Sequence, residues 1–213
     1  MKKVIVFDTW GTTIEQGVNP SPSKQVKNIL RIKEQFSDFI IRFEEVFMTE
    51  SYETLTDGFK AVSEAFNLKT PDFVYEKLVG MWNKNAILAT SYEDTEPTLK
   101  ELKSKGYTLV LLSNMDKFSH EHLKSKLNFE LFDHTLLSYQ TGILKNNPES
   151  FEKIMELTKT KEEDLIMVGD SVQSDIKAAE EANVDSVLVD RRQTREYENK
   201  ISDLTELYSY LQA

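Results

Sequence analysis

The stretch that decides the fold is Val4-Ile5-Val6-Phe7-Asp8-Thr9-Trp10-Gly11-Thr12-Thr13, near the start of the chain. Its apolar run over residues 4–7 predicts a short strand that is buried on both faces. The carboxylate of Asp8 follows at once, and Gly11 allows a sharp backbone turn. Ligands of open α/β sheets bind outside the carboxyl ends of strands. Asp8 therefore stands where a reactive carboxylate would be placed, although this stretch alone is equally compatible with a turn-capping role.

Strands and helices alternate over the second half of the chain. The apolar patterns predict strands over residues 107–112, 132–137, 165–168 and 186–189, and helices over 95–105, 117–126, 147–158, 174–183 and from 203 onward. Buried strands separated by helices of this length are typical of a parallel sheet with helices on both faces. The sequence thus predicts an α/β fold with a Rossmann-like parallel sheet as its core.

A long helical segment interrupts this alternation. From residue 24 to about residue 89, apolar residues recur at spacings of three and four, which predicts an inserted module of about four helices. We expect an α/β core formed by residues 1–15 and 90–213, and an α-helical cap formed by residues 16–89. The aromatic stripes of the insert are expected to form its own core rather than to bind substrate.

Composition narrows the function classes. The chain has 213 residues, a net charge of −10 and no cysteine, so disulfides, thiolate metal sites and cysteine nucleophiles are excluded. The acidic balance argues against nucleic acid or an anionic membrane as the main partner, but it allows a small, anionic substrate bound in a local cationic pocket. With no apolar run long enough for a signal or a membrane span, we expect a cytoplasmic protein. The oligomeric state cannot be read from the sequence.

Polar residues gather where the predicted strands end. Because the carboxyl ends of parallel strands lie on one edge of a sheet, these side chains can converge. They are Asp8 and Thr12 after the first strand, Ser113 and Asn114 after the second, Lys145 past the third, and Asp170 and Asp175 past the fourth.

Four short motifs in this order resemble the haloacid dehalogenase-like hydrolase superfamily over nearly the whole core. The first is residues 7–12, the second is Leu112-Ser113-Asn114, and the fourth is Gly169-Asp170-Ser171-Val172-Gln173-Ser174-Asp175-Ile176. The third is Lys145 with Pro148 and Phe151, although Asn146 replaces the usual proline after the lysine. The helical insert resembles the cap of that superfamily.

The resemblance implies a role for each of these residues. Asp8 would be the nucleophile that forms an aspartyl intermediate, and Thr12 and Ser113 would donate hydrogen bonds to a transferring phosphoryl group. Lys145 would stabilise the charge on Asp8 and in the transition state. Asp8, Asp170 and the backbone carbonyl of Trp10 would hold one Mg²⁺, with Asp175 orienting the site from the second layer. This implies a phosphatase that acts on a small phosphorylated metabolite.

Trp10 departs from the phosphatase pattern. Phosphatases of the superfamily carry a general acid–base aspartate at this position, and the loss of such a group costs about 10²–10⁴ in rate. The superfamily's metal-independent 2-haloacid dehalogenases carry an aromatic residue there, and Arg42 lies about where their halide-binding arginine does. A dehalogenase and a catalytically silent binding protein therefore remain alternatives. In a phosphatase, we expect a steep preference for good leaving groups unless a Glu or His of the cap supplies the proton.

The histidines, Arg42 and three late arginines are expected to be structural or solvated. His120, His122 and His134 do not form a metal triad, since the first two point apart on a predicted helix. Although Arg42 lies about where the dehalogenases have their halide-binding arginine, it is more typical of a solvated helix charge. Arg191, Arg192 and Arg195 are more typical of a solvated loop than of a phosphate-binding site.

Overall fold

The computed structural model describes residues 2–212. Its centre is a sheet of six parallel strands in the order β5-β4-β1-β6-β7-β8. Three of them are β1 (Val4–Phe7), β4 (Thr108–Ser113) and β5 (His134–Leu137), and the other three are β6 (Leu165–Gly169), β7 (Asp185–Val189) and β8 (Lys200–Ile201). The strand β1 lies at the middle, between β4 and β6, and is fully buried. The predicted α/β fold with a Rossmann-like parallel sheet is confirmed.

Helices cover both faces of the sheet, with one apolar cluster on each side. They are α5 (Thr95–Ser104), α6 (Lys117–Leu123), α7 (Ser138–Thr141), α8 (Glu149–Thr158), α9 (Lys177–Glu181) and α10 (Leu207–Gln212). Short 3₁₀ turns occupy Phe129–Leu131, Glu162–Asp164 and Leu204–Glu206. A single π-turn, Val172–Ile176, leads from β6 into α9.

The insert contains four helices, as the periodicity predicts. They are α1 (Pro22–Ile29), α2 (Phe36–Phe47), α3 (Leu55–Ala65) and α4 (Asp72–Leu88). Phe39, Phe43, Phe47 and Phe59 are almost fully buried. The last three pack around Trp82 and Phe39 stacks on Phe43, so the aromatic stripe does form the insert's own apolar cluster. The division into core and cap domains stays a prediction.

Both connections between insert and sheet pass through one small ribbon. The two-residue strands β2 (Ile14–Glu15) and β3 (Thr90–Ser91) pair antiparallel, which brings the entry and exit of the insert side by side. Beyond the ribbon, the Trp82 indole donates a hydrogen bond of 3.0 Å to Asp116, and Lys126 donates hydrogen bonds of 2.9 and 2.6 Å to the carbonyls of Ala86 and Ala89 at the end of α4. The insert is thus tied to the core along α4.

Several predicted boundaries are corrected by the structure. The helix expected over 117–126 ends at Leu123, and the strand expected from residue 132 begins at His134. The helix expected from residue 174 begins as the π-turn, because the Ser171 and Asp175 side chains bond to local backbone amides there. The ribbon strands and the edge strand β8 were not predicted, since two-residue strands are defined by distant pairing partners rather than by local pattern.

Candidate active site

The candidate site lies at the carboxyl edge of the sheet, where β1, β4 and β6 end side by side. Asp8 follows β1, Asn114 follows β4, and Asp170 follows β6. The registers pair Phe7 with Leu111 on one side and with Val168 on the other, so the residues after these strands emerge together. Parallel pairing therefore brings the motif residues to one place, as the sequence predicts.

Lys145 connects two of the carboxylates. Its ammonium group lies 2.7 Å from Oδ1 of Asp8 and 2.6 Å from Oδ1 of Asp175, and the three side chains are buried. The other oxygen of Asp175 accepts a hydrogen bond of 2.9 Å from the backbone N–H of Ser171. Asp175 thus positions both Lys145 and the loop that carries Asp170, which fits the expected orienting role.

Three carboxylates form a cluster that suits a divalent cation. One oxygen from each of Asp8, Asp170 and Asp175 lies within 4.8 Å of the others. Hard oxygen ligands of this kind are what Mg²⁺ and Ca²⁺ take in proteins. Lys145 supplies one positive charge against three carboxylates, so the cluster keeps an excess of negative charge when all three are ionised.

The pKa values of the cluster are shifted first by burial and then by the neighbouring charges. Burial raises the pKa of Asp8 to about 8, helped by Asp175 and Asp170, although Lys145 opposes the rise. Burial and then Asp175 raise the pKa of Asp170 to about 6. Burial disfavours the charged form of Lys145, but Asp175 and Asp8 outweigh it and raise the pKa of Lys145 above the usual lysine range. A bound cation would relieve the repulsion that these carboxylates share.

Two hydroxyls at the carboxyl ends of β1 and β4 are buried without a partner. The side-chain oxygens of Thr12 and Ser113 make no hydrogen bond, and neither residue is more than 1% exposed. Buried hydroxyls in proteins are normally paired, so these two are exceptions that call for an explanation. The phosphoryl-binding role that the resemblance implies for both hydroxyls stays a prediction.

Asn114 extends the site toward the insert. Its side-chain oxygen accepts a hydrogen bond of 2.8 Å from the backbone N–H of Lys145, which turns the amide nitrogen toward α2. That nitrogen donates a hydrogen bond of 2.8 Å to Oε2 of Glu44. Asn114 therefore links the lysine of the core to a carboxylate of the insert.

Glu44 is the site residue that sequence reasoning missed. Phe36, Ile40, Glu44 and Met48, spaced by four along α2 and its end, all line a cavity of about 490 Å³ above Asp8. The signal was present in the sequence as a glutamate interrupting an apolar row at helical spacing. Burial raises the pKa of Glu44, while Lys145 and the Asn114 hydrogen bond act against the rise.

The remaining lining residues define the character of the cavity. Trp10 is half-buried and lines the cavity, while it also packs against the core cluster of the sheet. Trp82 and Val172 add apolar surface. The cations among the described lining residues are Lys145 and Arg195, and both come from the core rather than from the insert.

Arg42 does not join the cavity. It pairs with Glu34 at 2.9 Å, hydrogen-bonds the carbonyl of Ala65, and lies 4.4 Å from the centre of the Phe66 ring. These contacts place it on another face of α2 from Glu44. Arg42 is thus a partly exposed charge on the helix, which agrees with the expectation that it is a solvated helix charge.

The histidines and the late arginines have local partners. His120 hydrogen-bonds the Tyr139 hydroxyl at 2.8 Å, and the acidic cluster is the single metal-compatible group found in residues 2–212, so no histidine triad occurs there. Arg191 is not a solvated charge: it pairs with Asp94 at 3.0 Å, donates to the Thr12 carbonyl and stacks on Tyr92. Arg195 is exposed and lies 4.0 Å from Asp170.

No helix between residues 2 and 212 combines the length and the apolar character that a membrane crossing needs.

Comparisons with characterised proteins agree on the hydrolase fold. Over 130 residues the chain is 28% identical to glyceraldehyde 3-phosphate phosphatase of Methanothermobacter thermautotrophicus, covering 61% of this chain and 58% of that protein. Over 101 residues it is 33% identical to phosphoserine phosphatase of Thermus thermophilus, covering 47% and 41%. The chain thus spans about half the length of these curated relatives.

Solved structures extend the similarity to the whole chain. A HAD phosphatase from Thermococcus onnurineus superposes with a TM-score of 0.63 at 24% identity, over 99% of this chain and 98% of that one. L-2-haloacid dehalogenase from Xanthobacter autotrophicus, with chloropropionic acid covalently bound, gives a TM-score of 0.69 at 15% identity over 100% and 99%. The family model of haloacid dehalogenase-like hydrolases matches residues 2–183, and the chain belongs to that family.

Proposed function

We propose that this hydrolase is a Mg²⁺-dependent phosphatase that cleaves a small phosphorylated metabolite through an aspartyl-phosphate intermediate. The observation that carries the proposal is the cluster of Asp8, Asp170 and Asp175, whose negative charge Lys145 alone does not balance. Relatives that are named as phosphatases of small phosphorylated compounds support a phosphatase function.

Each site residue has a distinct role in the proposed reaction. Asp8 attacks phosphorus, and the electron pair of the breaking P–O bond goes to the leaving oxygen. Lys145 holds the Asp8 carboxylate in place and offsets charge that develops on the phosphoryl oxygens. The unpaired hydroxyls of Thr12 and Ser113 donate hydrogen bonds to those oxygens. Water then hydrolyses the aspartyl phosphate and restores Asp8.

Asp8, Asp170 and the Trp10 carbonyl would hold the metal ion, with Asp175 behind them. When bound, Mg²⁺ neutralises negative charge between the nucleophile and the phosphoryl group. The residues fit this ion because their donors are hard oxygens and because three carboxylates face the single ammonium group of Lys145.

The dehalogenase alternative has weaker support. A 2-haloacid carries a carboxylate that needs a cationic partner, yet Arg42 is engaged elsewhere on the insert. Glu44 instead presents a carboxyl group to the cavity. The cluster of Asp8, Asp170 and Asp175 fits a metal-dependent reaction better than a metal-independent one.

Phosphate release from para-nitrophenyl phosphate and a panel of phosphate monoesters tests the proposal. We expect activity with Mg²⁺, none with excess EDTA, and none for Asp8→Asn. Asp185→Asn, which changes an exposed aspartate paired with Lys2, is the matched control and should remain active. Halide release from 2-chloropropionate in EDTA would instead establish the dehalogenase. Failure to release either product would favour a silent binding protein.

A further inference from the structure

Glu44 is placed where a leaving group would lie. Asp8 forms the floor of the cavity, and the row of α2 residues that includes Glu44 forms its roof. A phosphoryl group bound to Asp8 has its leaving oxygen on the side opposite the attacking carboxylate, because the displacement is in line. That side faces the insert, where Glu44 is the one carboxyl group among the described lining residues of α1 to α4.

Hydrogen bonds fix the carboxyl group in this position. Asn114 is itself held by the backbone N–H of Lys145 and donates to Oε2 of Glu44 at 2.8 Å. The second oxygen, Oε1, has no described hydrogen-bond partner and belongs to a residue that lines the cavity. One oxygen of Glu44 is therefore anchored, and the other is free to meet a ligand.

Trp10 leaves the reaction without a proton donor at the second position after the nucleophile, Asp8. An indole has no proton that is acidic near neutrality, and Trp10 lines the same cavity as Glu44. A carboxyl group with a raised pKa is the type of group that enzymes use as a general acid near pH 7. Burial raises the pKa of Glu44 in this way.

We propose that Glu44 of the insert is the general acid–base of this enzyme, taking the place of the aspartate that Trp10 replaces. This inference rests on the proposed phosphatase function. In the first step the P–O bond breaks, its electron pair goes to the leaving oxygen, and that oxygen takes the proton of the Glu44 carboxylic acid. In the second step the Glu44 carboxylate takes a proton from the water that attacks phosphorus, and Asp8 leaves as a carboxylate.

The apolar surroundings of Glu44 also describe the leaving group. Phe36, Ile40, Met48 and Trp82 line the same cavity, and the insert adds no lysine or arginine to the described lining. A leaving group with its own carboxylate or phosphate would find no cationic partner in the insert. The substrate that this roof fits is the phosphate monoester of an uncharged alcohol.

The experiment compares Glu44→Gln with the wild type on a series of monoesters whose leaving groups become more basic: para-nitrophenyl, phenyl and propyl phosphate. Glutamine keeps an oxygen that can accept from Asn114 but has no acidic proton, so a merely structural role would survive the change. Glu45→Gln is the matched control, since Glu45 is the exposed neighbour on the same helix. Folding and Mg²⁺ binding of every variant are checked first.

For Glu44→Gln we expect kcat/KM on propyl phosphate to fall by about 10²–10⁴-fold, and on para-nitrophenyl phosphate by less than about tenfold. Glu45→Gln should match the wild type. An equal loss on every substrate would overturn the proposal in favour of a structural role through Asn114. A rise in KM with unchanged kcat would overturn the proposal in favour of a role in substrate binding. Unchanged kcat and KM on every substrate would overturn it as well, because Glu44 would then have no role in the reaction.

The same assay separates this proposal from the proposed function. If Asp8→Asn still releases phosphate, or if the wild type releases none from any ester, the phosphatase mechanism itself is wrong. If Asp8 is essential and the wild type cleaves para-nitrophenyl phosphate but not propyl phosphate, the mechanism stands and Glu44 is not the acid.

Discussion

A methyl group placed on Gly11 would lie 2.3 Å from Oδ2 of Asp170, because the loop after β1 passes directly against that carboxylate. Gly11 also has a φ of +80°, a conformation that costs other residues roughly 1–2 kcal/mol. The glycine of the first motif thus allows two strand ends to bring Asp8 and Asp170 together. Because glycine has no side chain, the Asp170 carboxylate can lie against this loop, and this close approach sets the geometry of the candidate metal site.

Gly11→Ala is therefore predicted to weaken Mg²⁺ binding by displacing Asp170, and to lower stability through the strained φ. Calorimetric titration with Mg²⁺ and urea unfolding measure the two effects. Gly80→Ala is the matched control: Gly80 lies exposed in α4, its added methyl meets nothing within 4 Å, and the change should stabilise by about 0.5–1 kcal/mol. Unaltered Mg²⁺ affinity in Gly11→Ala would contradict the assignment of Asp170 as a ligand.

Lys145→Met is predicted to destabilise the fold as well as to stop turnover. The change leaves the buried carboxylates of Asp8 and Asp175 without their shared cation, and removal of one partner from a buried ion pair costs about 3–5 kcal/mol. Added Mg²⁺ should recover part of this loss, since it supplies the missing charge. Thermal unfolding with and without Mg²⁺ checks both statements.

A surface lysine provides the comparison for Lys145→Met. Lys153 pairs with Glu149 at 3.6 Å on the exposed face of α8, and such pairs contribute roughly 0.2–0.5 kcal/mol. Lys153→Met should unfold at nearly the wild-type temperature. A similar loss of thermal stability in both variants would show that the burial of Lys145 does not increase its contribution to stability.

The pH dependence of stability gives an independent test of the carboxylate cluster. In the folded protein without metal, the pKa of Asp8 is about 8 and that of Asp170 about 6, while aspartate in the unfolded chain titrates near 3.8. The folded state therefore holds more protons between pH 4 and 8, and the free energy of unfolding contributed by these groups falls as pH rises through that window.

Mg²⁺ should therefore stabilise the protein more at pH 8 than at pH 5, where protons compete for the same oxygens. Thermal unfolding across this range, with Mg²⁺ and with EDTA, measures the difference. In Asp8→Asn and Asp170→Asn the pH slope in EDTA should be smaller than in the wild type. An Mg²⁺ effect that is the same at both pH values would argue against a cluster with raised pKa values.

Sequence alone predicted the sheet and the polar residues at its carboxyl edge because both depend on local pattern. Asp8, Asn114 and Asp170 each follow a strongly apolar strand, and parallel strands place such residues together. The apolar row that contains Glu44 is visible in the sequence, but nothing local says that this row meets the cavity. That orientation is set by Phe39, Phe43 and Phe47, which bury the adjacent row in the insert's own cluster.

We predict that the insert moves relative to the sheet by hinge motion at the linkers next to the ribbon of β2 and β3. The linker at residues 16–23 follows β2, and the linker at residues 90–95 begins with β3, so the insert joins the sheet at these two neighbouring places. Hydrogen exchange should be faster in these linkers than in β1 and β6, which are buried at the centre of the sheet. Equal protection of the linkers and the central strands would indicate a fixed body without hinge motion.

The last prediction concerns Trp10 and Glu44 together. From Trp10 alone, the sequence predicts poor turnover of alkyl phosphates, whereas a general acid at Glu44 restores it in the wild type. If Glu44→Gln removes that acid, adding Trp10→Asp should return part of the propyl phosphate activity, because a carboxyl group after the nucleophile can reach the same leaving oxygen. The kcat/KM for para-nitrophenyl phosphate should change little between the single and the double variant, because this quantity reports the first step, in which that leaving group needs no proton.

Packing must be separated from chemistry in this rescue. Trp10 packs against the core cluster of the sheet, so its removal is expected to cost on the order of 1–3 kcal/mol of stability. Trp10→Phe in the Glu44→Gln background keeps an aromatic ring and adds no proton donor, and it should not restore activity. Rescue by phenylalanine as well as by aspartate would mean that space above Asp8, rather than a proton, limits the reaction. Rescue by aspartate alone would show that the two positions supply the same proton.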